Sequence, residues 1–179
     1  MKLIRDWLGQ SSPARTASES ESATIREITR KLDQLPVEQA RYLAAFAYIL
    51  GRVAHADLDI SEEETRAMEE IVVRESELSP DLAIIVVQMA KSQNLLFGGT
   101  ENFLVTREFK KMSTPEQRKN LLQCLFAVSS SDDSISVVED NEVRQVSKEL
   151  GITHSEFISI RSSFREHLAV LRKPQQKAD

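Results

Sequence analysis

Apolar residues recur at helical spacing through most of the chain that follows residue 22. Ile25, Ile28 and Leu32 lie three and four residues apart, which places them on one face of a helix. Leu43 and Phe46 begin a similar but denser stripe, which is typical of a buried helix. The pattern predicts seven or eight helices and no sheet, with bounds at about residues 23–33, 36–55, 62–77, 80–92, 100–112, 115–130, 137–149 and 154–172.

The predicted helix ends carry specific signals. Pro36, Pro80 and Pro115 stand where a first helical residue is expected, because proline is tolerated there. Gly151 is predicted to end a helix, since glycine readily adopts the left-handed conformation. Four pairs of a hydroxyl residue and a Glu or Gln three residues later fit the capping box: Ser61/Glu64, Thr114/Gln117, Ser136/Glu139 and Thr153/Glu156.

The chain repeats itself at an offset of 75 residues. Each copy contains a long helix, a short acidic loop, a capping serine and a second helix, at about 36–77 and 115–149. This doubling predicts an all-α bundle built from two helix-loop-helix repeats related by a pseudo-two-fold axis. Eight position pairs carry the match: Leu50/Leu125, Val53/Val128, Asp57/Asp132, Ile60/Ile135, Ser61/Ser136, Glu64/Glu139, Met68/Val143 and Ile71/Val146.

The ends of the chain differ in character from the predicted helical domain, residues 23–174. Residues 10–22 contain no large apolar side chain and are predicted to form a flexible linker, and residues 175–179 a short tail. Residues 1–9 are amphipathic, with basic side chains beside an apolar face. This segment either contacts a membrane surface or a partner, or packs back onto its own domain.

Composition removes several classes of function. The chain has 179 residues, a net charge of -5 and no cluster of basic and aromatic residues, which disfavours nucleic acid binding. Its longest apolar run, residues 42–51, is about half a bilayer span, and no signal peptide is recognisable, so a cytoplasmic location is expected. The single cysteine, Cys124, is expected to be buried and inert, and three scattered histidines disfavour a zinc site. His154 and His167 are expected at the surface.

Two stretches concentrate negative charge. Residues 57–77 hold nine acidic residues against two arginines, and residues 132–142 hold five acidic residues and no basic one. Such stretches form either solvated helix faces or a cation site. Neither loop fits an EF-hand, because Glu62 and Val137 stand where that loop requires glycine.

The repeated motif resembles the TerB family of tellurite resistance proteins and the related domain of a membrane-anchored DnaJ-like co-chaperone. The family pattern Ala-Asp-Gly-x-Ile-Ser-x-x-Glu corresponds here to residues 56–64, and the second copy corresponds at residues 131–139. Residues 150–157 and Arg161 resemble the closing segment of stand-alone bacterial members. The likeness spans about residues 24–172.

The resemblance implies an all-helical module whose acidic loops come together to bind a divalent cation, in proteins linked to tellurite or other stress. Carboxylate ligands favour Ca²⁺, Mg²⁺ or Mn²⁺. The family glycine after the first Asp is replaced by Leu58 in one copy and by an Asp in the other, which can weaken the site. The candidate metal ligands are Asp57, Asp59, Glu64, Asp132, Asp133 and Glu139.

The same residues have a purely structural interpretation. Glu64 and Glu139 can act as capping-box residues, while Asp57 and Asp132 can terminate the preceding helices by bonding the backbone. We expect a non-enzymatic module with a protein partner, since no nucleophile-base pair or phosphate-binding glycine loop is present. A metal-assisted hydrolase and a membrane-peripheral adaptor that docks through residues 1–9 are the alternatives. The sequence leaves the oligomeric state open.

Overall fold

A computed structural model of the protein describes residues 19–54, 62–92, 99–131 and 134–171. These residues contain eight α-helices: α1 (Glu19–Asp33), α2 (Val37–Ala54), α3 (Glu62–Ser76), α4 (Pro80–Ser92), α5 (Gly99–Met112), α6 (Pro115–Ser129), α7 (Val137–Leu150) and α8 (His154–Ser162). The all-α prediction is confirmed. The amphipathic segment 1–9, residues 10–18 of the predicted linker and the tail 175–179 lie outside the described residues.

Most helix bounds agree with the apolar pattern to within two residues. The exceptions are at the two ends of the described chain. Helix α1 begins at Glu19, four residues before the predicted start and inside the segment predicted as linker. The last predicted helix is wrong in its second half, because α8 ends at Ser162.

Two long buried helices, α2 and α6, form the centre of the bundle. Helix α2 packs against α4, α5 and α6, and α6 also packs against α3 and α8. Their fully buried side chains include Phe46, Ile49 and Leu50 on α2 and Leu121 and Leu125 on α6. Burial on several faces explains why α2 from Leu43 onward and α6 from Leu121 onward are apolar over most of their circumference.

The second helix of each repeat packs on the first helix of the other. Helix α3 contacts α6, and α7 contacts α2 as well as its own neighbour α6. Helices α2 and α6 end 75 residues apart, and α3 and α7 begin 75 residues apart. This exchange of partners is the pattern that a pseudo-two-fold arrangement would produce; the symmetry itself stays a prediction.

Local capping explains why several helices begin and end where they do. Each of three predicted capping boxes has both of its hydrogen bonds: Thr114 with Gln117, Ser136 with Glu139, and Thr153 with Glu156. The fourth box involves Ser61, which lies outside the described residues. Gly151 ends α7 with φ 74° and ψ 28°, a left-handed conformation that glycine adopts without strain.

The segment after α8 forms two short 3-10 turns, Arg165–His167 and Ala169–Leu171, where the sequence predicts a continuing helix. We call residues 163–171 the C-terminal strap. Its backbone pairs with that of Ile135: the amide of Ile135 donates to the carbonyl of His167 at 2.7 Å, and the amide of Ala169 donates to the carbonyl of Ile135 at 3.0 Å. Ile135 and Leu168 are both buried. Their contact buries apolar surface and satisfies backbone hydrogen-bonding groups, which compensates for the helical turns that the chain does not form here.

Candidate functional site

The structure describes two of the six predicted metal ligands. Asp57, Asp59, Asp132 and Asp133 lie outside the described residues, as does Leu58, so the ligand set as a whole remains a prediction. Glu64 and Glu139 are described.

Glu64 and Glu139 occupy the third positions of α3 and α7. Glu64 is exposed and Glu139 is half-buried. The two residues therefore hold equivalent places at the starts of the second helices of the two repeats.

Glu139 closes the capping box of α7. The amide of Ser136 donates to Oε2 of Glu139 at 2.8 Å, and the amide of Glu139 donates to Oγ of Ser136 at 3.2 Å. The structural interpretation of Glu139 is thus confirmed. The backbone bond uses one carboxylate oxygen, Oε2, and Oε1 is still able to coordinate a cation, so the two roles are compatible.

Within the described ranges, no three residues among His, Cys, Asp and Glu form a group suited to hold a metal ion. Glu64 and Glu139 alone are too few ligands for Ca²⁺, which takes six to eight oxygens. A cation site that uses Glu64 or Glu139 therefore needs further carboxylates, and the candidates are those of the loops before α3 and α7.

A buried ion-pair cluster, which we call the Arg52 cluster, joins helices α2, α5 and α7. Nε of Arg52 donates to Oε1 of Glu142, and Nη1 donates to Oε2 of Glu149 at 2.8 Å. Nη1 also lies 3.4 Å from Oγ1 of Thr106 on α5. The side chains of Arg52 and Glu149 are 8% and 7% exposed, so this guanidinium is a buried tie between α2, α5 and α7.

Electrostatics in the Arg52 cluster favour the charged forms. Burial by itself disfavours a charged guanidinium, but the hydrogen bonds to Glu149 and Glu142 outweigh it, and the pKa of Arg52 is raised. Burial likewise acts to raise the pKa of Glu149, but the hydrogen bonds from Arg52 and Gln145 outweigh it, and the pKa of that carboxyl is lowered. The cluster is held by paired opposite charges.

Sequence reasoning missed the Arg52 cluster. The available signal was Arg52 itself, a charged residue inside the apolar stripe that runs from Leu43 to Val53. Its partners Glu142 and Glu149 lie seven residues apart, and therefore on one face of α7, but their pairing depends on how α7 packs against α2. The spacing of apolar residues along the chain does not show how two helices pack against each other.

A second buried charge lies in the first turn of α7. Both oxygens of Asp140 accept hydrogen bonds from Arg161 on α8, each at 2.7 Å, and Asp140 is 6% exposed. The equivalent position in the first repeat is Thr65, where Oγ1 accepts a hydrogen bond from Nζ of Lys91 on α4 at 2.7 Å. In both repeats, a basic side chain from the next helix thus bonds the fourth residue of the second helix, and in the second repeat the bond is a bidentate ion pair.

The cysteine and one of the two described histidines have the predicted burial, and the other histidine does not. Cys124 is buried, and burial raises the pKa of its thiol well above the usual range, so it is an inert thiol as expected. His154 is exposed, as expected. The expectation for His167 is wrong: the residue is half-buried in the strap, and its Nδ1 is buried without a hydrogen-bond partner in the described structure.

None of the helices in the described ranges combines the length and the apolar character needed to cross a bilayer.

Comparison with known proteins gives one finding. The model of a family described as "Tellurite resistance protein TerB" matches residues 43–162, about two thirds of the chain. Comparisons with curated proteins and with solved structures give no significant match. The matched residues run from the buried part of α2 to the end of α8 and include both acidic loops and the Arg52 cluster. The chain belongs to the TerB family of tellurite resistance proteins.

Proposed function

We propose that this chain is a non-enzymatic cytoplasmic module that binds a divalent cation through its two acidic loops and presents the occupied surface to a protein partner in a tellurite or other stress response. The observation that carries this proposal is the ion pair between Arg52 and Glu142. It joins the last turn of the helix before the first acidic loop to the middle of the helix after the second.

The described helices that flank the two loops are in contact, which supports a shared site. Arg52 lies two residues before the end of α2, which is about 3 Å along the helix axis. Glu142 lies three residues after Glu139, which is about 4.5 Å along the axis of α7. Because Arg52 and Glu142 are in direct contact, the last turn of α2 lies beside the helix whose third residue is Glu139.

The chemistry of the candidate ligands favours a hard cation. Six carboxylates, without cysteine and without a described histidine cluster, match the oxygen ligands of Ca²⁺, Mg²⁺ or Mn²⁺. A bound cation would also relieve the repulsion within the two acidic stretches, which carry nine and five acidic residues. Both acidic loops then contribute to one site.

The test is the melting temperature of chelator-stripped protein with each cation added. A cation at a hundredfold excess over its Kd stabilises the folded state by about 2.7 kcal/mol, or about 5 to 10 °C for a chain of this size. The variant Asp57→Asn/Asp132→Asn should lose this shift. As a control with the same change of charge, Glu69→Gln/Glu70→Gln alters α3 beyond its first turn and should keep it.

Glu139→Gln separates the two roles of that residue. The amide oxygen of glutamine can still accept the hydrogen bond from Ser136, so the cap is preserved and the melting temperature without cation should change little. The cation-induced shift should shrink because a charged ligand is lost. A folded wild-type protein whose melting temperature responds to none of the three cations would contradict the proposed function, and an unchanged shift in Glu139→Gln would remove that residue from the ligand set.

A further inference from the structure

We propose that the outer side of α5 and the start of α6 form a docking surface for an anionic membrane, on which two apolar side chains enter the lipid interface and basic side chains contact the lipid phosphates. The inference goes beyond the proposed function, because it involves neither the acidic loops nor a cation. We call this surface the α5 face. Its members are Phe103, Leu104, Arg107, Lys110 and Lys111 on α5 and Arg118 and Lys119 on α6.

The apolar part of the α5 face is a pair of adjacent side chains that the bundle leaves in water. Phe103 is 53% exposed and Leu104 is 46% exposed. The opposite side of α5 packs into the core, where Thr106 and Phe109 are fully buried. Since its inner side already holds α5 in the bundle, Phe103 and Leu104 are available for a contact outside the chain.

Arg107 joins the apolar pair to the basic part of the α5 face. Its guanidinium lies over the ring of Phe103, 5.9 Å from the ring centroid. The side chain of Arg107 is 51% exposed. An aromatic ring and a guanidinium thus present apolar surface and positive charge on the same side of one helix, a combination that suits a membrane interface.

The α5 face carries a net positive charge although the whole chain is acidic. Residues 107–119 hold five basic and two acidic residues, a net charge of +3, against -5 for the chain. Both acidic residues pair with bases of the same stretch: Glu108 bonds Lys111 at 2.7 Å, and Glu116 bonds Lys119 at 2.8 Å. A local excess of positive charge attracts anionic headgroups, while acidic surface farther than a Debye length of about 10 Å is largely screened.

Contacts at the end of α7 bring the bases of α6 beside those of α5. Nη1 of Arg118 donates to the carbonyl of Leu150 at 3.1 Å. Nζ of Lys110 lies against Gly151, the next residue, since a Cβ built there would be 2.4 Å from that nitrogen. Lys110 and Arg118 therefore converge on one turn, and their charges belong to one surface patch.

The size and shape of the α5 face favour a membrane over an acidic protein partner. A protein interface of usual size takes about 800 Å² from each partner and has a closely packed apolar centre. Two apolar side chains on the outer side of one helix are fewer than such a centre requires. Beside a cluster of about four to eight basic residues they suffice for reversible binding to anionic lipid, and the α5 face has five.

The experiment is co-sedimentation of the full-length chain with vesicles of phosphatidylcholine, alone or mixed with phosphatidylserine, in the presence of a chelator. Because the chelator removes divalent cations, the result does not depend on the cation site. Phe103→Ser/Leu104→Ser removes the apolar pair. The matched control is Val137→Ser/Val138→Ser, which removes two adjacent apolar side chains of α7 that are 52% and 73% exposed.

A second pair of variants tests the charges. Arg107→Gln/Lys111→Gln removes two exposed positive charges from the α5 face. Arg26→Gln/Arg30→Gln is the matched control, since it removes two exposed positive charges from α1. Circular dichroism establishes that each variant is folded.

We expect the wild type to bind vesicles that contain phosphatidylserine, to bind phosphatidylcholine alone much more weakly, and to be released by added salt. Removing the apolar pair or the two charges of the α5 face should weaken binding to the anionic vesicles by about tenfold or more. Both control variants should bind like the wild type.

The proposal is overturned if the wild type does not bind vesicles that contain phosphatidylserine, or if the folded variants of the α5 face bind as the wild type does. Equal losses in the control variants would overturn it as well, because the effect would then not belong to the α5 face. A loss confined to Trp7→Ser/Leu8→Ser would assign the membrane contact to residues 1–9 instead. The proposed function stands in each of these cases, since its cations are absent from the assay.

Discussion

The Arg52 cluster illustrates at the scale of single residues how a charge can be buried in an apolar helix. Removing the guanidinium and the carboxylate of Glu149 from water is costly, and only close pairing offsets that cost. Breaking a buried pair by removing one partner typically destabilises a protein by about 3 to 5 kcal/mol. The free energy of unfolding should therefore depend on the ionisation of Glu149.

The pH dependence of stability tests this expectation. The pKa of Glu149 is lowered in the folded protein, so the unfolded chain binds a proton more readily. The stabilisation is complete above the ordinary glutamate pKa of 4.5 and is lost as the pH falls through the lowered folded value. We expect Glu149→Gln to be less stable than the wild type by about 3 kcal/mol at pH 7, and the difference to shrink below pH 4.5.

Urea unfolding of both proteins at a series of pH values measures this difference directly. Other carboxyls with lowered pKa values, such as Glu108 and Glu156, are present in both proteins and cancel in the comparison. A difference that stays constant from pH 7 to pH 3 would show that the charge of Glu149 does not contribute to stability.

At the scale of elements, the C-terminal strap shows how tertiary contacts can end a helix that the sequence pattern would continue. Phe164 stacks on Phe126 of α6 with ring centroids 5.5 Å apart, and Leu168 is 1% exposed. Both contacts draw the chain back toward the core after Ser162. The strap also holds Ile135, the second residue before α7, through two backbone hydrogen bonds.

We therefore expect Leu168→Ala to destabilise the protein by about 2 to 5 kcal/mol, as is usual when a buried leucine is truncated. Val170→Ala is the control in the same strap, since Val170 is 57% exposed and its truncation should cost less than about 0.5 kcal/mol. Thermal or urea unfolding measures both changes. Equal effects of the two substitutions would mean that the strap is not anchored at Leu168.

At the scale of the whole molecule, the two repeats exchange partners and are not separate units. Helix α3 of the first repeat packs on α6 of the second, and α7 of the second packs on α2 of the first. Each repeat taken alone would expose the apolar faces of its long helix. The full chain should therefore unfold in one cooperative transition.

Expression of residues 1–98 and 99–179 as separate fragments tests this cooperativity. Each fragment alone should show much less helix by circular dichroism than its share of the full chain, because most helical stability comes from packing. Mixing the two fragments should restore helical signal, since each supplies the partner of the other. A fragment that melts cooperatively by itself would contradict the interdependence of the repeats.

The amino-acid sequence alone predicts the positions of the helices, their caps and the repeat. Apolar spacing located α2 through α7 because it reports which side of a helix is buried. The capping boxes at Thr114, Ser136 and Thr153 were predictable because each depends on residues three positions apart. Family membership was recognisable from the doubled acidic motif, which the family match confirms.

Contacts between residues distant in sequence required the tertiary structure. Arg52 and Glu149 are 97 positions apart, and the backbones of Ile135 and Leu168 pair across the whole of α7 and α8. Such pairs depend on how helices cross, which a local pattern does not encode. Short-range chemistry along the chain predicts helices α2 to α7, most of their ends and the family. Long-range packing settles which charges are buried together and where the last helix stops, because both depend on residues far apart in the sequence.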